Sequence, residues 1–166
     1  MAIRISNGVK KNTGFTLIEL LVTMTVITIL IGVSFGAIRE VQVRGRDTRR
    51  IADLKSVQVS LELYINRCGR YPGDATCGST NPSDWAQLTT ALGAVMDTNK
   101  VPKDPIPPPR TYYYGVDKTA GQEGLRYVIG AKLERENSVL QDDIDGTLYE
   151  VDCSDTAPNF YYCIQS

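Results

Sequence analysis

Histidine is absent from all 166 residues. That single gap removes imidazole acid–base chemistry, Ser-His-Asp and Cys-His catalysis, and histidine-based metal sites. Carboxylates and serines remain for chemistry, and none shows a paired arrangement, so no enzyme activity is expected. An excess of either charge is missing too: 18 Lys+Arg stand against 19 Asp+Glu, a net charge of −1. Nucleic acid is therefore not expected as the main partner. Proline does not occur between Phe15 and Arg67, so nothing in that stretch forbids a continuous helix. Cysteine is sparse, with Cys68, Cys77, Cys153 and Cys163 and no C-x-x-C spacing, which argues against zinc.

Charge is also missing from Leu20 to Ile38. At about 1.5 Å per residue that run is long enough to cross most of a bilayer as a helix. The residues before it, Met1–Gly14, carry Arg4, Lys10 and Lys11 and no acid. Arg39, Arg44, Arg46, Arg49 and Arg50 follow it, so basic residues flank both ends and do not orient it alone. One carboxylate, Glu19, opens the run. An acid at mid-bilayer costs roughly 2.5–3.5 kcal/mol, less near the membrane edge, and calls for a partner. An alternative reading cuts at Ser34-Phe35-Gly36, ahead of Ala37, as a general signal peptidase does. The apolar region is longer than the roughly 7–15 residues of such a signal, and Glu19 has no role in that reading.

The tract Gly14-Phe15-Thr16-Leu17-Ile18-Glu19, with a short basic leader ahead and an apolar run behind, resembles the prepilin cleavage motif of the type IV filament superfamily. That superfamily includes type IV pilins, type II secretion pseudopilins and competence pilins. The resemblance implies cleavage after Gly14 on the cytoplasmic side by a dedicated prepilin peptidase, and methylation of the new Phe15 amine. It implies that Glu19 lies opposite the Phe15 amine of a neighbouring subunit in a helical homopolymer. An assembly ATPase and a platform membrane protein are the implied partners. The precursor is then a single-pass protein of the cytoplasmic (inner) membrane, in contact with lipid before assembly, with its C-terminal domain outside the cytoplasm. Afterwards it is part of a periplasmic or surface filament.

The organisation expected is a leader over 1–14, a membrane and filament-core half-helix over 15–38, and a pilin-like domain over 39–166. The last begins with an amphipathic half-helix over 39–68. Ile51, Leu54, Val57, Leu61, Tyr64 and Ile65 recur at steps of three and four, with Arg50, Asp53, Lys55 and Glu62 assigned elsewhere on the wheel. One helix is predicted from about Phe15 to about Arg67, closed by Gly69. A short helix follows, with Ser83 as its N-cap, Trp85, Leu88 and Leu92 on one face, and Gly93 at its end. Val101–Pro109 is proline-rich and extended. Tyr112–Val116, Leu125–Leu133, Thr147–Val151 and Phe160–Ile164 read as strands, with Asp117–Gly124 as a hairpin loop and Asp145-Gly146 as a turn. The fold class is α+β: a long N-terminal helix packed on a small antiparallel sheet.

An even number of cysteines beyond an export segment reads as disulfides. Three connectivities exist, and pairing within Cys68–Cys77 and within Cys153–Cys163 is expected because each pair brackets a short Gly/Pro/Asp-rich loop. The tyrosines 112, 113, 114, 127, 149, 161 and 162 are expected to alternate, one face on the helix and one in solvent. The arginines 44–50 suit either a solvated face or contacts with lipid or a neighbour's acids.

Tyr71-Pro72, then Trp85 and Leu88, then Pro102-Lys103-Asp104-Pro105 leading into Tyr112-Tyr113-Tyr114, resemble in their order the major pseudopilin of type II secretion. The cysteine pairs and the tail beyond Tyr149 depart from that subfamily. A major or minor subunit of a surface type IV pilus, serving adhesion, motility or DNA uptake, is the alternative. The acids Asp142, Asp143, Asp145, Asp152 and Asp155 cluster late in the chain. The pseudopilin resemblance implies calcium there, with Asp143, Asp145 and Asp152 as candidate ligands, against a plain solvated turn.

Overall fold

The computed structural model describes residues 14–73, 77, 84–93, 101–106 and 112–166, with backbone alone over 33–37. Residues 1–13 of the leader expected over 1–14, the Ser83 cap and Pro107–Pro109 lie outside these residues. The chain divides into two compact units, Met1–Glu40 and Val41–Ser166.

Helix α1 runs Leu17–Cys68, 52 residues without a break. It starts where Thr16 Oγ1 accepts the backbone N–H of Glu19 at 3.3 Å, the cap expected of a threonine three residues ahead of a glutamate. It stops at Gly69, whose φ of +77° only glycine adopts cheaply and whose N–H donates to Ile65 O at 2.7 Å.

Within Val41–Ser166, the turns of α1 bury Leu54, Val57, Leu61 and Tyr64, with Ile51 and Ile65 half-buried beside them. They pack on a three-stranded antiparallel sheet of order β1-β2-β5, formed by Tyr112–Val116, Tyr127–Lys132 and Tyr161–Gln165. The register pairs Tyr114 with Ile129 and Gly130 with Cys163. Helix α2, Trp85–Leu92, closes one side of this core: the Trp85 and Tyr112 rings lie 4.8 Å apart. Its cap is Asp84, which accepts the Gln87 N–H at 2.8 Å, one residue later than the serine predicted.

Two short elements depart from the expected strands. Residues 147–151 are not one strand. Tyr149 and Glu150, at φ +47° and +70°, form a two-residue turn between β3 (Thr147–Leu148) and β4 (Val151–Asp152). Two consecutive left-handed residues give the twist that a tight hairpin requires, and glycine or asparagine normally supplies it. The signal was absent because tyrosine and glutamate occupy those positions. A 3₁₀ turn, η1 (Ser138–Gln141), was likewise unannounced; Asn137 caps it by accepting the Val139 N–H at 3.2 Å.

The hairpin β3–β4 covers the sheet face that was expected to meet solvent. Val128, Val151, Cys153 and Cys163 form a second small core there, with Tyr113 and Tyr149 packed beside it. Glycines make that approach feasible. A Cβ at Gly115 would strike the Tyr149 carbonyl, and one at Gly130 would come within 2.9 Å of Cys163 Sγ.

Candidate functional site

The expected cleavage and assembly residues lie together at the start of α1. Gly14 has no neighbour within 4 Å of where a side chain would begin, and Phe15 is 82% exposed. Glu19 falls in the first helical turn, where a carboxylate is favoured by the unpaired N–H groups of the helix end. Among the described residues its carboxylate meets no cation.

Downstream, Leu17, Ile18, Leu20, Leu21, Val22, Met24, Val26, Ile27, Ile29, Leu30 and Ile31 are all about half exposed or more. Consecutive positions point round the whole helix, so the apolar surface has no polar side. The threonines do not interrupt it. Thr23, Thr25 and Thr28 donate their hydroxyls to the carbonyls of Leu20, Val22 and Met24 at 2.9, 2.7 and 3.0 Å. Each therefore presents mainly its methyl group outward, which lets the helix enter a dry environment without losing hydrogen bonds.

Among the described residues no helix is long and apolar enough to cross a membrane. The turns from Leu17 to Gly32 rise about 24 Å at 1.5 Å per residue, short of a hydrocarbon core of roughly 30 Å. The span expected over 15–38 continues into residues 33–37, whose side chains are outside the description.

In the C-terminal unit the cysteines join as Cys68–Cys77 and Cys153–Cys163. The acids near the C-terminus do not converge as the candidate ligand set requires. Among the described residues no group of three or more His, Cys, Asp or Glu is placed to hold a metal ion. Asp152 turns to its own loop, accepting the Ser154 N–H at 3.0 Å, and that contact lowers its pKa. Asp145 faces Asp155, whose charge raises its pKa. Asp143 Oδ2 accepts the Cys163 N–H at 2.8 Å, while Oδ1 is buried with no partner. Burial, with Asp145 and Asp155 adding to it, pushes the Asp143 carboxyl up to about 6.

The arginine stretch forms an arrangement that neither expected reading described. Arg50 is fully buried, not on the polar side of the wheel. It donates to Asp47 at 2.8 Å, to Asp104 at 3.0 and 3.2 Å, and to Glu134 at 3.1 Å. Arg46 grips Glu134 with two bonds of 2.7 Å. Burial pulls the Arg50 pKa down, but hydrogen bonds to Asp104, Glu134 and Asp47 reverse this and raise it. The hub fastens α1 to the 101–106 segment and to the exit of β2. A signal for it was present: positions 47 and 50 continue the buried 54, 57, 61, 64 stripe backwards at steps of three and four. An acid and a base in phase with a core stripe point to a buried pair.

Comparison with protein families matches residues 9–35 to the family described as Prokaryotic N-terminal methylation motif. Comparison with curated proteins and with solved structures gives no match. The matched stretch contains Gly14, Phe15, Glu19 and the uncovered turns that follow, so processing by a prepilin peptidase and filament assembly come with it in general terms. The chain carries at its N-terminus the methylation motif that marks type IV pilin-like structural subunits.

Proposed function

We propose that this protein is the polymerising subunit of a type IV pilus-like filament, most like the major pseudopilin of a type II secretion system. The precursor inserts through residues 15–38, with its C-terminal domain outside the cytoplasm. The peptidase cuts after Gly14, and Phe15 becomes the methylated N-terminus. The apolar helix then leaves lipid for a bundle of identical helices. That exchange is feasible because both environments are dry.

The observation that carries this reading is the uncovered apolar helix beside the motif. Twelve large apolar side chains from Phe15 to Ile31 are exposed. Burying each is worth roughly 1.5–3 kcal/mol, a sum that exceeds the total stability of many domains, about 5–15 kcal/mol. Water is not a tenable setting for that surface. In a bundle core, Glu19 has a reason to be present: it offsets the Phe15 amine of the next copy, because a pair of opposite charges in a dry setting is far better than either alone. Axial register follows from that pairing. An assembly ATPase and a platform membrane protein supply the work of extrusion.

A surface pilus is the second reading, and the two disulfides favour it, since covalent cross-links suit a filament exposed outside the cell. The experiment is mass spectrometry of the mature chain with electron microscopy of cells that overproduce it, against a strain lacking the peptidase. Methylated Phe15 at the N-terminus and peptidase-dependent filaments are expected. A mature chain starting at Ala37 would end this reading.

A further inference from the structure

The two cystines span almost the same number of residues, 9 and 10, yet stand in different surroundings. Cys153 and Cys163 lie inside the second core at 0% and 2% exposure, and Asp143 holds the Cys163 N–H. Cys77 is exposed, and Cys68, the last residue of α1, is half-buried. A thiolate opens a disulfide by attacking one of its sulfurs directly, so access decides which bond it reaches.

The chain that follows Cys68 is fixed without help from its disulfide. The Gly69 N–H donates to Ile65 O at 2.7 Å, and Arg70 Nη1 donates to the Glu123 carbonyl at 2.6 Å. Tyr71 is buried in the main core, with its N–H on Gly124 O at 2.8 Å and its hydroxyl on Glu62 at 3.0 Å. The Pro72 carbonyl accepts the Tyr114 hydroxyl, and a Cβ at Gly73 would come within 2.7 Å of Val116. Residues 69–73 are thus each anchored by hydrogen bonds or close packing. What the disulfide adds is a hold on Cys77, at φ +61°, a left-handed backbone that a residue with a Cβ adopts only at a cost. Opening the bond lets that backbone relax and leaves α1 and the main core in place.

We propose that Cys68–Cys77 is a thiol–disulfide exchange site, opened and closed on the folded chain by a protein dithiol outside the cytoplasm, and that Cys153–Cys163 is shut to the same partner. In the opening direction a partner thiolate bonds to the Cys77 sulfur. The S–S bond breaks, and its electron pair leaves on Cys68, which takes a proton. The partner's second thiol gives up its proton, attacks the mixed disulfide and releases Cys77, which is protonated in turn. The chain gains two electrons and two protons, and the partner is left as a disulfide. Closing is the reverse, with an oxidised partner. The compartment rests on the filament reading above, whereas the contrast between the two bonds depends on the fold alone.

The test uses the full-length chain folded in detergent, with a thioredoxin whose second active-site cysteine is replaced by serine as the probe. That replacement stops the exchange at the mixed disulfide. Mass spectrometry should find the probe joined to Cys77 and absent from Cys153 and Cys163. Dithiothreitol followed by N-ethylmaleimide should label Cys68 and Cys77 about tenfold faster, or more, than Cys153 and Cys163. A cooperative melting transition should remain once the first pair is labelled, and the double variant Cys68→Ser, Cys77→Ser should show one too. Labelling of all four cysteines at one rate, or a parent chain that forms no adduct with the probe, overturns the inference. Loss of cooperative melting as the first pair opens also overturns it, because the bond would then be part of what holds the fold. None of these results bears on the filament reading, which stands or falls with the mature N-terminus.

Discussion

Arg50 and Asp104, 54 residues apart, meet through two hydrogen bonds of 3.0 and 3.2 Å, with the Arg50 side chain fully removed from solvent. Asp104 also accepts the Ile106 N–H at 2.8 Å, so one carboxylate orders its own segment and holds it against the helix. Arg50→Ala strands Asp104 and Asp47 without their shared cation. Removing one partner of a buried pair costs about 3–5 kcal/mol. Chemical unfolding of the detergent-solubilised chain, followed by tyrosine near-UV dichroism, should show that loss. A change below about 1 kcal/mol would mean the hub is not what holds the 101–106 segment.

Glu19→Ala should leave insertion and cleavage intact and reduce filament yield severely. The helix loses nothing it needs to enter lipid, since removing a carboxylate lowers the insertion cost. It loses the charge proposed to set register between copies. Quantitative immunoblotting of sheared filaments against the cleaved membrane pool separates the two steps. Ordinary filament yield from this variant would remove Glu19 from assembly.

Asp143 makes stability depend on pH in the direction opposite to most carboxylates. Its pKa in the fold is raised to about 6 from an ordinary 3.8, chiefly by burial. The protonated form is therefore the one the fold prefers. Its contribution is fully present below about pH 4 and is lost as pH rises through 6. Asp143→Asn keeps an oxygen for the Cys163 N–H and carries no charge. Its melting temperature should exceed the parent's at pH 7.5, and the two should converge below pH 4. A pH-independent difference would show that burial is not what shifts this group.

The two disulfides close loops of similar length, with sequence separations of 9 and 10. Loop entropy alone assigns each about 2.5–3 kcal/mol. Cys153 and Cys163 are buried in the second core at 0% and 2% exposure, whereas Cys77 is exposed. Replacing Cys153 and Cys163 with serine should therefore destabilise the chain more than replacing Cys68 and Cys77, because two hydroxyls then enter an apolar cluster. Unfolding midpoints of the two double variants under non-reducing conditions give the comparison. Equal midpoints would mean loop closure alone accounts for both.

Long-range pattern was readable in this chain wherever a period held over many residues. The proline-free stretch, the uninterrupted apolar run and the stripe from Leu54 to Tyr64 place α1 within two residues at either end. Tyr112–Val116 was legible from its β-branched and aromatic content alone. The turn at Tyr149-Glu150 was not, because neither residue favours a left-handed backbone and packing of Tyr149 over Gly115 imposes it. Asp84 replaced the serine before it as helix cap because capping depends on which side chain reaches the N–H two or three residues on.

Local order and chemistry at the N-terminus needed no partner surfaces to read. A glycine ahead of phenylalanine, one acid four residues on, and an apolar helix behind them are consecutive in the chain. The buried charge hub, the covering of the second sheet face and the orphaned Asp143 oxygen were beyond such reading. Each joins residues tens of positions apart, and the energy of a charge depends on the dielectric and the partners around it, which exist only once the chain has folded.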